Sequence, residues 1–228
     1  MSMSLWIRTF TQPSVPVTRV SKRPCPSDPT RAVLFDLGNV ILELDVRRVF
    51  AHWADLSGES TDTLITRWVL DEAYKRHETG QLDFHDYAAH LSRMLDIELP
   101  ASGWQAGWNA LFRGPYADVT ARLPSLSARL PCFCFTNTNP THQAQWQRDY
   151  PDAIKGFRKI YVSSEIGRRK PDPESYRWVA SDMGFAPGEI HFIDDSQANV
   201  DGAISAGMRA TRVRSEADVV AAMDALLS

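Results

Sequence analysis

Five residues carry most of the chemistry this sequence can offer: Asp36, Thr136, Lys170 and the pair Asp194-Asp195. Asp36 follows the apolar run Ala32-Val33-Leu34-Phe35 and precedes a turn at Gly38, the pattern of a short strand buried on both faces that stops at a carboxylate. An ionised aspartate there is suited to attack phosphorus, splitting one hard displacement into two easier ones. Taken alone, it reads more readily as a turn aspartate capping a loop. Thr136 ends the run Cys132-Phe133-Cys134-Phe135 and offers its hydroxyl to a phosphoryl oxygen, with the backbone N–H of Asn137 beside it. Asp194-Asp195 end the run Ile190-His191-Phe192-Ile193, and Lys170 precedes Pro171 in the loop after another short strand. Three carboxylates brought together repel one another unless a cation sits among them. Oxygen donors of this kind suit Mg²⁺, which takes one or two carboxylates, several waters and a substrate phosphate. With Lys170 it would hold Asp36 ionised and neutralise charge on a transferring phosphoryl group.

The elements that must position these residues follow from periodicity. Val46, Val49, Phe50 and Trp53 fall at helical spacing, as do Leu64 and Trp68; Asp83 looks like an N-cap for a helix carrying Phe84, Tyr87 and Leu91; Trp104, Trp108, Leu111 and Phe112 form one more stripe before the Gly114-Pro115 break. This predicts an all-helical cap over residues 45–113, inserted after the first strand. Residues 31–44 and 114–228 alternate instead. A helix over 116–129 leads to the strand 132–135, a helix begins at Pro140 and carries Trp146, and a strand follows at 160–162. A helix is capped by Asp172 with Pro173 at its first position and Gly184 beyond its end. The strand 190–193, a helix capped by Ser196 and ended by Gly207, a strand over 210–213 and a terminal helix complete the chain. Strands alternating with helices predict an α/β fold, a Rossmann-like parallel sheet with helices on both faces. In such a sheet all strand C-termini share one edge, so Asp36, Thr136, Lys170 and Asp194-Asp195 can converge there.

The order Phe35-Asp36-Leu37-Gly38-Asn39-Val40, Thr136-Asn137-Thr138-Asn139, Arg169-Lys170-Pro171 and Asp194-Asp195-Ser196-Gln197-Ala198-Asn199 resembles the four signature motifs of the haloacid dehalogenase superfamily, with its first-insertion helical cap. The wording of these motifs, together with His77-Glu78-Thr79-Gly80 in the cap, is most similar to bacterial sugar-phosphate phosphatases of the α-D-glucose-1-phosphate phosphatase type. The resemblance implies a Mg²⁺-dependent phosphatase of a small phosphorylated metabolite, with Asp36 as the nucleophile that becomes an aspartyl-phosphate. It implies Mg²⁺ on Asp36, the Gly38 carbonyl and Asp195, Lys170 on the phosphoryl charge, and Asp194 orienting Lys170 or a metal-bound water.

One position departs from that pattern. Phosphatases of the superfamily usually carry a second aspartate two residues after the nucleophile as general acid and base, and here that residue is Gly38. Such help is worth roughly 10² to 10⁴ in rate. A water, Asp45, His77 or Glu78 are the candidate replacements, and a sugar 1-phosphate, with its better leaving group, suffers least from the loss. The same departure keeps two other readings open: a metal-independent haloacid dehalogenase, and a silent domain that binds a phosphorylated ligand or a partner. A phosphomutase fits less well, since it relies on the missing aspartate. Arg169 is a further candidate for substrate contact. His52, His85, His90, His142 and His191 read as structural or surface residues. Trp53, Trp68, Trp104 and Trp108 read as cap core, with room for one to face a sugar ring.

Composition narrows the rest. The chain has 228 residues, 43% hydrophobic and 23% charged, with a net charge of -3, which gives no footprint for nucleic acid or an anionic membrane surface. No apolar run reaches the roughly 18 residues of a membrane helix. Cys25, Cys132 and Cys134 make no disulfide framework; Cys132 and Cys134 alternate with phenylalanines and read as small buried hydrophobes. The expected setting is a reducing, cytoplasmic one, as a monomer or weak homodimer. Residues 1–30, basic and rich in proline, are expected to be a disordered extension.

Overall fold

The computed structural model describes residues 30–228, and the expected extension lies outside the described residues except for Thr30. Strands β1 (Ala32–Phe35), β4 (Cys132–Thr136), β5 (Ile160–Val162), β6 (Ile190–Asp194) and β7 (Arg209–Arg212) form one sheet in the order β5-β4-β1-β6-β7. Every pairing in it is parallel. The α/β expectation holds, and its cause is visible in the alternation of side chains. Val33, Phe35, Cys132, Cys134 and Ile193 join one apolar cluster, under helices α6 (Ala117–Ser127), α7 (Pro140–Asp149) and α12 (Glu216–Leu227). Ala32, Leu34, Phe133, Phe135 and Phe192 join the other, under α10 (Pro173–Met183) and α11 (Gln197–Ala206). With both faces covered, each large residue buried there contributes about 1.5–3 kcal/mol. Cys132 and Cys134 are free thiols in the first cluster, and burial pushes the Cys132 thiol up to about 12.

Five helices follow β1: α1 (Arg47–Ser57), α2 (Thr61–Arg67), α3 (Glu72–Glu78), α4 (Phe84–Leu95) and α5 (Ala101–Asn109). They enclose their own core around Trp53, Tyr87, Leu91, Trp104 and Trp108. Trp53 and Trp108 stack with centroids 6.0 Å apart, and the Trp53 indole N–H donates to the Trp104 carbonyl at 3.2 Å. The close approach of α1 to α5 requires Gly107: a Cβ there would run into the Trp53 indole. These helices are not the whole insertion, because the chain enters and leaves them through an antiparallel ribbon, β2 (Leu42–Leu44) with β3 (Phe112–Pro115). The expected Gly114-Pro115 break is therefore a strand. Neither strand has a readable pattern alone; each is extended because the other supplies its backbone partners. Among the described residues no helix is long and apolar enough to cross a membrane.

Candidate active site

Register brings the acids together. Phe35 pairs with Cys134 on one side and Ile193 on the other, so Asp36 stands level with Asp194, while Thr136 and Asp195 lie one residue further along their strands. Lys170 arrives from the loop between α9 (Ser163–Ile166) and α10 and is almost fully buried, 1% exposed. Its ammonium lies 2.7 Å from Asp36 Oδ1 and 2.8 Å from Asp194 Oδ2. It also sits 5.5 Å from the ring centroid of Phe192 and 5.8 Å from that of Phe135, faces that favour a cation. Burial works against this charge, but Asp194 and Asp36 outweigh it and hold the pKa above the usual lysine value. The Lys170 backbone is fixed by Asn137, whose side-chain amide donates to the Lys170 carbonyl and accepts its N–H, both at 2.9 Å.

The three carboxylates differ in what remains free. Asp194 is wholly buried and takes bonds from Lys170, from the Ser196 N–H at 2.8 Å and from Asn199 at 3.0 Å to each oxygen. It is occupied in holding Lys170. Asp36 receives Lys170 and the Leu37 N–H on Oδ1, and among the described residues nothing donates to Oδ2. Asp195 accepts on Oδ2 from Asn39 at 3.1 Å. Oxygens of Asp36, Asp194 and Asp195 all lie within 4.8 Å of one another, a donor set that fits a hard divalent cation. Without one, burial pushes the Asp36 carboxyl up to about 7, with Lys170 opposing and Asp194 adding to the rise. Burial likewise raises Asp195.

A cavity of about 220 Å³ opens above this edge, lined from the core by Asp36, Thr136, Asn137, Lys170 and Asp195, and from the cap by Val46, Tyr74 and Glu78. Its wall also holds Leu44. A Cβ on Gly38 would lie 2.6 Å from Leu44 Cδ1, so a side chain at this position would have to displace a leucine methyl. The three expected replacements are placed otherwise. Asp45 accepts the Arg47 N–H at the start of α1 and is not in the cavity wall. His77 is buried outside that wall, stacked on Tyr87 with its Nδ1 2.8 Å from the Leu82 carbonyl, and burial lowers its pKa. Glu78 lines the cavity but is ion-paired with Arg169, at 3.0 Å to Nε and 2.7 Å to Nη2. Arg169 thus meets Glu78 and is not in the wall. None of the four cap tryptophans lines the cavity; the tryptophan that does is Trp146, from the core.

Several residues here were beyond sequence reading. Asn39 adopts the left-handed conformation, φ 54°, and its side chain accepts from the Leu44 N–H at 3.0 Å while donating to Asp195. The Gly38-Asn39 dipeptide was the available signal, since asparagine tolerates that region. His142 bridges core and cap: its Nε2–H donates to the Trp108 carbonyl at 2.9 Å, and its Nδ1 faces the Asn139 amide at 3.1 Å. Burial pushes its pKa down to about 3. Ser196 sits at the N-terminus of α11 as expected, but its side chain makes no capping bond.

A parallel sheet whose C-terminal edge gathers acids and one buried lysine, beneath a helical unit inserted after its first strand, defines a class of capped α/β hydrolases. The model of the haloacid dehalogenase-like hydrolases matches residues 30–207, and the chain belongs to that family. It is 22% identical over 179 residues to a D-ribitol-5-phosphate phosphatase of Bacteroides thetaiotaomicron, covering 74% of this chain and 84% of that protein. A phosphatase of Mycobacterium tuberculosis is 26% identical over 189 residues, covering 78% and 85%. Among solved structures, a family member from B. thetaiotaomicron in complex with magnesium and inorganic phosphate superposes with a TM-score of 0.73 at 23% identity, covering 81% of this chain and 94% of that one.

Proposed function

We propose that the chain is a Mg²⁺-dependent phosphatase of a small phosphorylated metabolite, a sugar or polyol phosphate. The observation that carries this reading is the Lys170 ammonium shared between Asp36 and Asp194 at the floor of the cavity. Asp36 Oδ2 attacks phosphorus and the bond to the leaving oxygen breaks. Water then attacks the aspartyl-phosphate, releasing inorganic phosphate and restoring Asp36. Lys170 holds the attacking carboxylate in place and offsets charge on the phosphoryl oxygens, and Thr136 with the Asn137 N–H donates to them. Asp36, Asp195 and the Gly38 carbonyl would hold Mg²⁺, with Asp194 beside them, and the ion supplies electrostatic stabilisation of the transferring group. Since Gly38 stands at the position of the second aspartate, the departing oxygen takes its proton from water. That favours esters whose leaving group departs readily, glucose 1-phosphate among them; the phosphatase names of both curated relatives support the reaction class.

The test is phosphate release from glucose 1-phosphate, ribitol 5-phosphate and p-nitrophenyl phosphate, with Mg²⁺ and with a chelator. Release that stops on chelation and returns with Mg²⁺ is the expected result. Halide release from 2-haloacids that survives chelation, with no phosphate released, would move the chain to the dehalogenase reading.

A further inference from the structure

Glu78 ends α3 and is 5% exposed, yet nothing in the phosphoryl-transfer step uses it. Buried carboxylates are costly, and this one is held with unusual care. Arg169 grips one oxygen, Oε2, through both Nε and Nη2, which fixes the side chain where it lines the cavity. The backbone is fixed as well: the Ser163 hydroxyl lies 2.6 Å from the Glu78 carbonyl and 2.9 Å from that of Thr138, and accepts the Thr138 N–H at 2.8 Å. The end of α3 seats so closely on the core that a Cβ at Gly80 would run into the Ser164 carbonyl. Tyr74, one helical turn earlier, places its phenol next to Glu78 in the same wall.

A carboxylate paired with an arginine presents acceptor oxygens to a ligand. Its match on a substrate is a hydroxyl. The charges around the cavity point the same way. Asp36 and Asp195 belong to the cation site, which leaves Glu78 as the one carboxylate of the lining beyond it, and the single cationic side chain there among the described residues, Lys170, is already spent on Asp36 and Asp194. His142 stays neutral, with its Nε2–H committed to the Trp108 carbonyl. Arg169 lies behind Glu78, outside the wall. The remaining cap-side lining, Leu44, Val46, Leu111 and Phe112, suits the carbon face of a polyol. A second carboxylate or phosphate on the substrate would meet like charge away from water, where repulsion is strongest.

We propose that Glu78, clamped by Arg169, is the residue that selects the leaving group: with Tyr74 it reads the hydroxyls of an uncharged polyol or sugar, and it turns away phosphate esters that carry a second anionic group. This rests on the phosphatase reading of the same cavity. The test compares kcat/KM of the full-length, Mg²⁺-loaded protein for ribitol 5-phosphate and for the phosphate ester of the matching aldonate, which differs by one carboxylate, with p-nitrophenyl phosphate alongside. The expected ratio is at least about 100-fold in favour of the polyol. In Glu78→Gln that ratio shrinks to below about 10-fold, chiefly through KM. Tyr74→Phe, which leaves the Glu78–Arg169 pair intact, raises KM for ribitol 5-phosphate about 10-fold while the discrimination against the aldonate persists. Equal turnover of the two esters by the wild type, or an unchanged ratio in a folded Glu78→Gln, overturns the selection while the phosphatase reading stands. Failure to release phosphate from any ester, p-nitrophenyl phosphate included, overturns the phosphatase reading and the selection with it.

Discussion

Asp36 and Glu78 are both buried carboxylates facing one cavity, and their cationic partners are neighbours in the chain: Lys170 for the first, Arg169 for the second. Lys170 turns into the core, 1% exposed, and its ammonium serves two acids; Arg169 turns toward the cap, 24% exposed, and serves one. Two adjacent residues of a single loop therefore hold the candidate nucleophile and the cap wall at once. The difference in exposure sets what each pair is worth. A fully desolvated triad is costly to break, because the partners left behind cannot be rehydrated, whereas a partly wet pair relaxes more easily.

The largest effect expected is at the core pair. Asp36→Asn abolishes phosphate release, by at least about 10⁴-fold, with the fold retained by circular dichroism; residual turnover near wild type would remove Asp36 from its role. Lys170→Met leaves Asp36 and Asp194 facing each other, so it lowers kcat about 10³-fold and stability by about 3–5 kcal/mol, read from urea unfolding. Arg169→Met separates the two sites: it leaves Glu78 buried without its partner and costs about 1–3 kcal/mol. If both loop substitutions destabilise equally, the contrast between a dry and a wetter pair fails. Gly107→Ala tests the cap alone, since the added methyl meets Trp53; a loss of about 1–3 kcal/mol is expected, seen first in tryptophan fluorescence.

The remaining effect is one of pH. The folded pKa of His142 is pushed down to about 3, below the ordinary histidine value of 6.5. Below pH 6.5 the unfolded chain binds a proton that the folded chain refuses. His142 therefore leaves stability whole above that pH and erodes it as pH falls toward 3, by up to about 1.4 kcal/mol per pH unit. His77, also lowered by burial, acts in the same sense. His142→Asn should flatten, without abolishing, the fall in urea midpoint between pH 7 and pH 5, and an unchanged slope would count against the assignment.

The core side of this site was more legible in the sequence than the cap side, for one reason. Asp36, Thr136 and Asp194-Asp195 each end an apolar run, and a parallel sheet sends every such end to one edge, so local pattern and global position agree. Of the cap groups singled out from the sequence, Glu78 does line the cavity, but its pairing with Arg169 and the presence of Tyr74 beside it come from contacts between elements far apart in the chain, which no spacing records. The ribbon strands Leu42–Leu44 and Phe112–Pro115 escaped for the same reason, as each is extended only against the other. Arg169, a candidate for substrate contact in the sequence, instead meets Glu78, while its neighbour Lys170 meets Asp36 and Asp194.

That ribbon has a consequence for how the molecule could have been assembled. The chain leaves the core at Leu44 and returns at Phe112, and those two residues are paired. Seen from the core, the cap is a closed loop whose ends are already tied. The entropy of closing such a loop grows only slowly with its length. The two-strand stub therefore works as a graft point, at which the intervening helices can be lengthened, shortened or exchanged with little effect on the sheet that carries the chemistry.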